Sequence, residues 1–397
     1  MYKRRLEFNG TQMKHFDVII IGAGAAGLSA AGAAIANKKS VAVIDMGHEP
    51  ARKVMASGGG KCNITNTDAK YTRYFGENPN FVRGALSRVS PNDILAWANE
   101  HNIELYQKTP GRYFCVNGAK DVTDALMQDA NGAHFVFDTY VSGVSKNGDM
   151  FIINSPNKTY QAKSLIVATG GTSFATLGVS DMGCKIAKSF GHKIIPMRPA
   201  LCALAISGAK SELAGISINA EIKIGKVKIQ DDLLFTHFGI GGPLAYRASL
   251  CDMSKEIIIN MAPNIDVGQM MRDAKRQCGK KNIASVLANI LPMRIAKLIA
   301  GDKQRNIADI KDREIDIIAN NVNNIVIDKS KIKPHGLSSA EVVRGGVATD
   351  DISSKTMESK LCPGLFFAGE VMDIAGDLGG FNLQWAWASG RVAGQNA

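Results

Sequence analysis

Gly22, Gly24 and Gly27 stand in G-x-G-x-x-G spacing directly after the apolar run Val18 to Ile21. That order of residue types suits anion binding at a helix start. Gly22 permits a tight turn, Gly24 lets the backbone approach a pyrophosphate, and Gly27 lets the helix lie against the strand. The N–H groups of Ala25 and Ala26 would then face phosphate oxygens, with the helix dipole favouring their charge. A second apolar run, Val41 to Ile44, ends in Asp45, 18 residues beyond Gly27 and close to the roughly 20 at which such folds place a ribose-binding carboxylate. Asp45 is expected to accept from ribose hydroxyls and to repel a 2′-phosphate, which selects FAD or NAD over NADP.

Three further stretches carry matching chemistry. In ARKVMASGGGKCNITN, residues 51–66, Gly58, Gly59 and Gly60 let the backbone approach a flat ring, while Arg52, Lys53 and Lys61 can neutralise a pyrophosphate. Cys62 and Asn63 complete this cofactor-facing segment; Cys62 could react with a flavin, but no second cysteine stands near it in sequence, so its expected role is packing. In SLIVATGG, Ala168, Thr169 and Gly170 fall at the carboxyl edge of a strand, where open α/β sheets bind ligands. Near the C-terminus, GLFFAGEVMD ends a strand at Gly369-Glu370, and the helix FNLQWAWASGRVAG follows. Glu370 can accept from ribityl hydroxyls, and the N–H groups of Asn382, Leu383 and Gln384 can face the pyrimidine oxygen of a flavin. NAD enzymes do not need this second site, so non-covalent FAD is the expected cofactor. For the chemistry itself, His237 in DLLFTHFGIGGP is a candidate proton donor or substrate contact, with a satisfied structural histidine as the equal alternative. Lys61 is the second candidate.

The elements that would position these residues are legible from periodicity. Short β-branched runs bounded by glycines read as buried parallel strands, and SLIVATGG should lie beside the first of them. PNDILAWANEHNIELY reads as a helix running into a strand, with a Gly111-Arg112 turn and a second helix from Lys120 to Gln128. Phe135 to Val144 and Asp149 to Asn154 read as strands around Asn147-Gly148, and in flavoproteins of this architecture a backbone group near here contacts adenine, Val141 being the expected one. Met182 to Phe190 reads as a helix. After Arg198 the pattern changes to period 2, from Ile216 to Ile229, an antiparallel sheet with one wet face. From Val267 it becomes helical, with a further helix around Ile307 to Ile318, and Asn324 to Ile327 returns to strand.

The chain has 397 residues, 45% hydrophobic and 21% charged, a globular composition of two or three domains. The basic start MYKRR imitates a secretory signal, but about a dozen mostly polar residues separate it from the apolar run. No segment has the 18 or more apolar residues of a membrane span. Seven scattered cysteines without a C-x-x-C pair argue against a disulfide framework or structural zinc, and a reducing cytoplasm is the expected location. Of the formal charge of +11, residues 266–333 contribute +6, from 14 Lys or Arg against 8 Asp or Glu. That is either a solvated helical face or a surface for an anionic partner such as RNA, a membrane or an acidic protein.

Taken in order, GAGAAG, SGGGKCNITN, ATGG, LLFTHFGIGGP, TMESK and FAGEVMD with GGFNLQWAWASG resemble the motifs of the BaiN-like or YhiN-like bacterial flavoproteins, some of them called aminoacetone oxidases. The resemblance spans nearly the whole chain. It implies an α/β fold in which a glutathione-reductase-like, Rossmann-type FAD domain is interrupted by a small β-barrel carrying a helical insert. The expected divisions are 1–196 and 340–397 for the FAD domain, 197–262 and 322–339 for the barrel, and 263–321 for the insert. Two departures stand out: Ser173-Phe174-Ala175 where the family has Ser-Tyr-Pro, and Lys61 where it has Arg. The expected activity is hydride exchange between FAD and a small organic substrate, with transient NAD(P)H or oxygen as redox partner. The alternatives are an RNA-associated flavoprotein that modifies or binds tRNA through the basic insert, and a flavin-stabilised scaffold without turnover.

Overall fold

The β-branched runs form the centre of a mostly parallel sheet. A computed structural model describes residues 14–156, 158–174, 180–301 and 305–397, so the basic start and Ala175 lie outside the described residues. The chain divides into two compact units, Met1–Arg198 with Val342–Ala397, and Pro199–Glu341.

In the first unit, strand Lys14–Ile21 pairs in parallel with Val41–Ile44 on one side and Thr159–Val167 on the other, with Val18 opposite both Val41 and Ser164. His134–Val136 extends the sheet beyond Val41–Ile44, and Leu365–Phe367 pairs with the upper end of Thr159–Val167, both in parallel. The hairpin Gly143–Asn147 with Met150–Asn154 adds antiparallel strands to its lower end. The central side chains are buried, as expected where helices cover both faces of a parallel sheet.

Helix Ala25–Ala36 is built of small residues because it is buried on two sides. A Cβ at Gly27 would sit 1.8 Å from the Gly22 carbonyl oxygen, while Cβ atoms at Gly390 and Gly394 of the C-terminal helix Phe381–Asn396 would sit 2.3 and 2.1 Å from the carbonyls of Ala26 and Ala30. The two helices therefore pack backbone against backbone, and the first and last motifs of the sequence meet. Trp385, Trp387 and Phe381 fill the space between this helix and the rest of the core.

The second unit is a seven-stranded antiparallel sheet in the order Ile325–Ile327, Ile257–Asn260, Ser217–Ile224, Val227–Thr236, Gly239–Gly241, Leu204–Ile206, Ile332–Pro334. Helices Val267–Gln277, Ile283–Leu287, Met293–Ala300 and Asp312–Asn323 belong to it, the first two capped by Asp266 and Asn282. The last begins later than the periodicity suggests, because Glu314 accepts from the Lys311 N–H and fixes the start there.

Three local readings change. The stretch 135–144 is not one strand: Asp138 takes φ 52°, and the chain bends so that the N–H groups of Asp138 and Thr139 reach the carbonyls of Gly47 and Asp45. The strand at Leu365 stops at Phe367, since Gly369 takes φ 73° and opens a 3-10 turn. The segment after the triple glycine is a strand, Asn63–Asn66, paired with Arg112–Cys115, which pairs in turn with Leu105–Thr109. β-Branched Ile64 and Thr65 suit it, but its partner is supplied from some fifty positions away.

Candidate active site

The glycine turn has the geometry its spacing implies. Gly22 takes φ 109° and a Cβ there would lie 2.3 Å from the Ala168 carbonyl oxygen, so a side chain is excluded. Its N–H donates to the Ile44 carbonyl at 2.8 Å, which ties the turn to the neighbouring strand. In front of Gly24 nothing lies within 4 Å of an added Cβ. The first intrahelical bond runs from Leu28 N–H to the Gly24 carbonyl, which leaves the N–H groups of Ala25 and Ala26 without an acceptor among the described residues, with no acid in the first turn. An open space facing unpaired N–H groups and a positive helix end is what a pyrophosphate requires.

Asp45 corrects the expectation of a free ribose acceptor. Its Oδ2 accepts from Ala23 N–H and its Oδ1 from Gly47 N–H, both at 2.6 Å, and Arg52 Nη2 stands 3.4 Å from Oδ1. The carboxylate therefore braces the glycine turn, with about one of its roughly four lone-pair sites left for a ribose. Arg52 lies against Gly47 and Asp45, so it does not stand as a free cation for the pyrophosphate. The Thr139 N–H bonds to the Asp45 carbonyl, which brings the loop carrying buried Val141 to this strand end.

Glu370 and Lys53 are likewise engaged with each other. Lys53 Nζ lies 2.7 Å from Glu370 Oε2 and 2.8 Å from Ser173 Oγ, and Glu370 Oε1 accepts from Val343 N–H at 3.0 Å. The Phe174 ring lies 5.7 Å from the ammonium. Glu370 is thus not an open acceptor for ribityl hydroxyls, nor Lys53 an open cation; together they join four chain segments. Gly369 has both backbone groups engaged, its N–H with Ser389 Oγ at 2.9 Å and its carbonyl with Trp385 Nε1 at 3.2 Å. Glycine is needed there for close approach to helix Ala25–Ala36, since a Cβ would lie 2.8 Å from that of Ala26.

Gly58, Gly59 and Gly60 have φ of 59°, 66° and 84°, three successive left-handed residues that only glycine adopts cheaply. Gly59 and Gly60 are exposed, with nothing within 4 Å of an added Cβ, and half-buried Gly170, at φ 72°, likewise has nothing within 4 Å of one. These form bare backbone surfaces. Lys61 is exposed and donates to the Val116 carbonyl at 2.8 Å, which takes one of the three donors of its ammonium and leaves the charge in place. Cys62 is buried and has the neighbour that sequence spacing hid: the register pairing Asn63 with Phe114 sets Cys62 opposite Cys115, and the two thiols share a hydrogen bond. That bond, together with burial, pushes the Cys62 thiol up, away from a reactive thiolate. Asn63 faces the start of the C-terminal helix, accepting from Gly380 N–H at 3.1 Å and donating to the Tyr113 carbonyl at 3.3 Å.

At that helix start, the Asn382 side chain brackets Gly376 through both its N–H and its carbonyl. The Gln384 N–H bonds to the Gly380 carbonyl at 3.0 Å, and its buried side chain bonds Thr65 Oγ1 and the Val89 carbonyl, so Gln384 holds the fold rather than facing a ligand. The backbone N–H groups of half-buried Asn382 and Leu383 remain free at the positive end of a 16-residue helix. Ala168 is held by its N–H to the Ile21 carbonyl at 2.9 Å. Thr169 Oγ1 is buried against Gly183 and has no hydrogen-bond partner among the described residues. His237 is exposed in the turn between strands Val227–Thr236 and Gly239–Gly241.

Two helix N-termini, two bare glycine surfaces and a braced turn fit an extended dinucleotide. Residues 16–396 match the family described as HI0933-like protein Rossmann domain. The chain belongs to this family. It is 33% identical to the ribosomal RNA dihydrouridine synthase of Escherichia coli, over 97% of this chain and 98% of that protein. It is 37% identical to the protein of the same description in Haemophilus influenzae, over 94% and 96%. It is 26% identical to the 3-dehydro-bile acid delta(4,6)-reductase of Clostridium scindens, over 95% and 98%. The chain is accordingly an FAD-dependent oxidoreductase with a Rossmann-like α/β fold. Among the described residues no helix is long and apolar enough to cross a membrane.

Proposed function

We propose that this chain reduces uridine to dihydrouridine in ribosomal RNA. The observation that carries the reading is the near full-length similarity, at 33% and 37% identity, to two proteins described by that activity. The 26% relative acts on a bile acid, yet the two reactions share a form: both saturate a carbon–carbon double bond conjugated to a carbonyl. Bound FAD supplies the hydride, and NAD(P)H is the proposed donor that restores it. The cytoplasm, where ribosomes are made, is the proposed setting.

In this reading the N–H groups of Ala25 and Ala26 bind the pyrophosphate, with Gly22, Gly24 and Gly27 shaping the approach. The remaining lone pair of Asp45 takes a ribose hydroxyl and the Val141 backbone faces adenine. The bare backbone at Gly59, Gly60 and Gly170 would border the ring system, with Gly58 shaping the same turn, and the N–H groups of Asn382 and Leu383 would bind its pyrimidine oxygen, favouring negative charge there. Lys53 and Glu370 position the surrounding segments. Saturating the uracil 5,6 bond leaves an enolate that needs a proton at carbon 5, and exposed His237 is the proposed donor.

The test is nucleoside mass spectrometry of ribosomal RNA from cells with and without the gene, and from RNA incubated with the purified protein and NADPH or NADH. Dihydrouridine that depends on the protein supports the reading. Unchanged RNA, with flavin turnover on an unsaturated 3-ketosteroid instead, would replace it with a small-molecule reductase.

A further inference from the structure

Part of the positive charge of residues 266–333 is paired with acids close by. Arg272 pairs with Asp316 at 2.9 Å and Lys275 with Asp312 at 3.2 Å, Arg276 and Arg305 bond Asp273 and Glu314, and Arg294 donates to the Glu212 carbonyl at 3.0 Å. Arg272, Lys275, Arg276 and Arg305, each beside a carboxylate, offer less charge to a phosphate than a cation standing alone would.

A different cluster lies at the edge of the antiparallel sheet. Lys331 and Lys333 are exposed on either side of buried Ile332 in edge strand Ile332–Pro334, and exposed His335 continues their alternation. The His335 ring stacks on Phe238, with centroids 3.8 Å apart and planes 10° from parallel. Strand Leu204–Ile206 runs between the two: its Ile206 N–H bonds the Phe238 carbonyl at 2.8 Å, and the His335 N–H bonds the Ala203 carbonyl at 2.9 Å. Backbone bonds therefore fix the stacked pair in advance. Phe238 covers one face of the imidazole, and His335 is exposed to solvent. His237 is next to Phe238 in the same turn.

Resting on the RNA reading above, we propose that this corner binds an unpaired nucleobase of the RNA, stacked on the face of His335 away from Phe238, with the adjoining phosphates on Lys331 and Lys333. An aromatic plane flanked by exposed lysines is the combination by which single-stranded RNA is held. The basic residues alone would be a solvated edge protecting the sheet from association; the preset ring pair beside them is what points to a base.

The experiment measures anisotropy of a labelled short oligouridine RNA with the full-length holoprotein across a salt series. His335→Ala should weaken binding about tenfold with the salt slope unchanged, and His335→Phe should restore it. The double variant Lys331→Gln with Lys333→Gln should flatten the slope by about 1.4, at about 0.7 per phosphate contact on single strands. Lys280→Gln with Lys281→Gln in the insert should change neither. Parent-like binding by both His335→Ala and the Lys331, Lys333 variant would overturn the assignment, as would a loss confined to the insert variant. The dihydrouridine content of RNA treated with the parent protein judges the proposed function separately. Protein-dependent reduction with parent-like binding by His335→Ala refutes only this corner, whereas tight, stacking-dependent binding without reduction refutes only the reaction.

Discussion

Replacing Asp45 with alanine separates two roles that sequence spacing merges. If the carboxylate only met a ribose, the variant would lose cofactor affinity and nothing else. The geometry implies a loss in the apoprotein as well, because Ala23 N–H and Gly47 N–H each donate to Asp45 at 2.6 Å. Hydrogen bonds to a charged group contribute about 1.5 to 3 kcal/mol each. Water can replace part of that at a half-buried site, and the Arg52 contact at 3.4 Å, with side chains 19% and 15% exposed, adds less than about 1 kcal/mol. A net loss of about 3 kcal/mol is therefore expected, which corresponds to a fall in Tm of about 6 to 12 °C for a unit of this size. Asp45→Asn, which keeps one acceptor, should fall between the two. The assay is thermal unfolding of the deflavinated protein followed by FAD titration, where removal of the last lone pair should cost a further 1 to 3 kcal/mol, roughly. An apoprotein with unaltered Tm and weakened FAD binding would show that the brace is inconsequential and refute this reasoning.

Glu370→Gln should leave the Val343 N–H an acceptor but strip Lys53 of its counter-charge; with the pair 31% and 18% exposed, a loss of about 1 kcal/mol in stability is expected, read by denaturant unfolding. Cys62 should resist alkylation in the native protein and react once unfolded, since burial and the Cys115 hydrogen bond hold it as a thiol; native modification of Cys62 mapped by peptide mass would contradict that. His192 is buried with its Nε2 2.8 Å from Ser359 Oγ, and burial lowers its pKa from the ordinary 6.5. Below pH 6.5 the unfolded chain takes up the proton first, so this contribution is complete above pH 6.5 and is lost as the pH falls through the folded value. His192→Gln should accordingly lessen the decline of Tm on acidification, and identical Tm profiles for parent and variant would exclude the effect.

What could be read from the sequence follows from where each signal resides. Val18 to Ile21, Val41 to Ile44 and the glycines between them carry their information locally, as β-branched runs and as turns that tolerate no Cβ, and the same holds for Asn147-Gly148 and the helix at Phe381. Partnerships across the chain left no such trace. Lys53 and Glu370, Cys62 and Cys115, and Gln384 and Thr65 meet only because two helices and a small sheet bring distant segments together. Asp45 and Glu370 stand where acids that meet hydroxyls would stand, yet spacing cannot reveal that backbone N–H groups and a lysine reach them first. In the basic segment, too, Asp312 and Asp316 come from a helix some forty residues beyond Lys275 and Arg272, the cations they pair with.

This division bears on how one family can act on an RNA base and on a steroid. The groups able to hold the cofactor are chiefly backbone N–H donors at two helix starts, and bare glycine surfaces, none of which depends on a particular side chain. Such a site persists wherever its glycines and small-residue helix packing persist, whatever the remaining positions become. Substrate choice must then lie in side chains, and in the antiparallel unit the turn at His237 and Phe238 and the edge at Lys331 to His335 can change without disturbing a buried core. A relative acting on a single small acid has no chain of phosphates to meet, whereas one acting on RNA has use for both a row of cations and the aromatic plane. Exchanging residues 331–335 between this chain and the bile acid reductase should therefore alter RNA affinity in both proteins and leave the flavin content of each as it was.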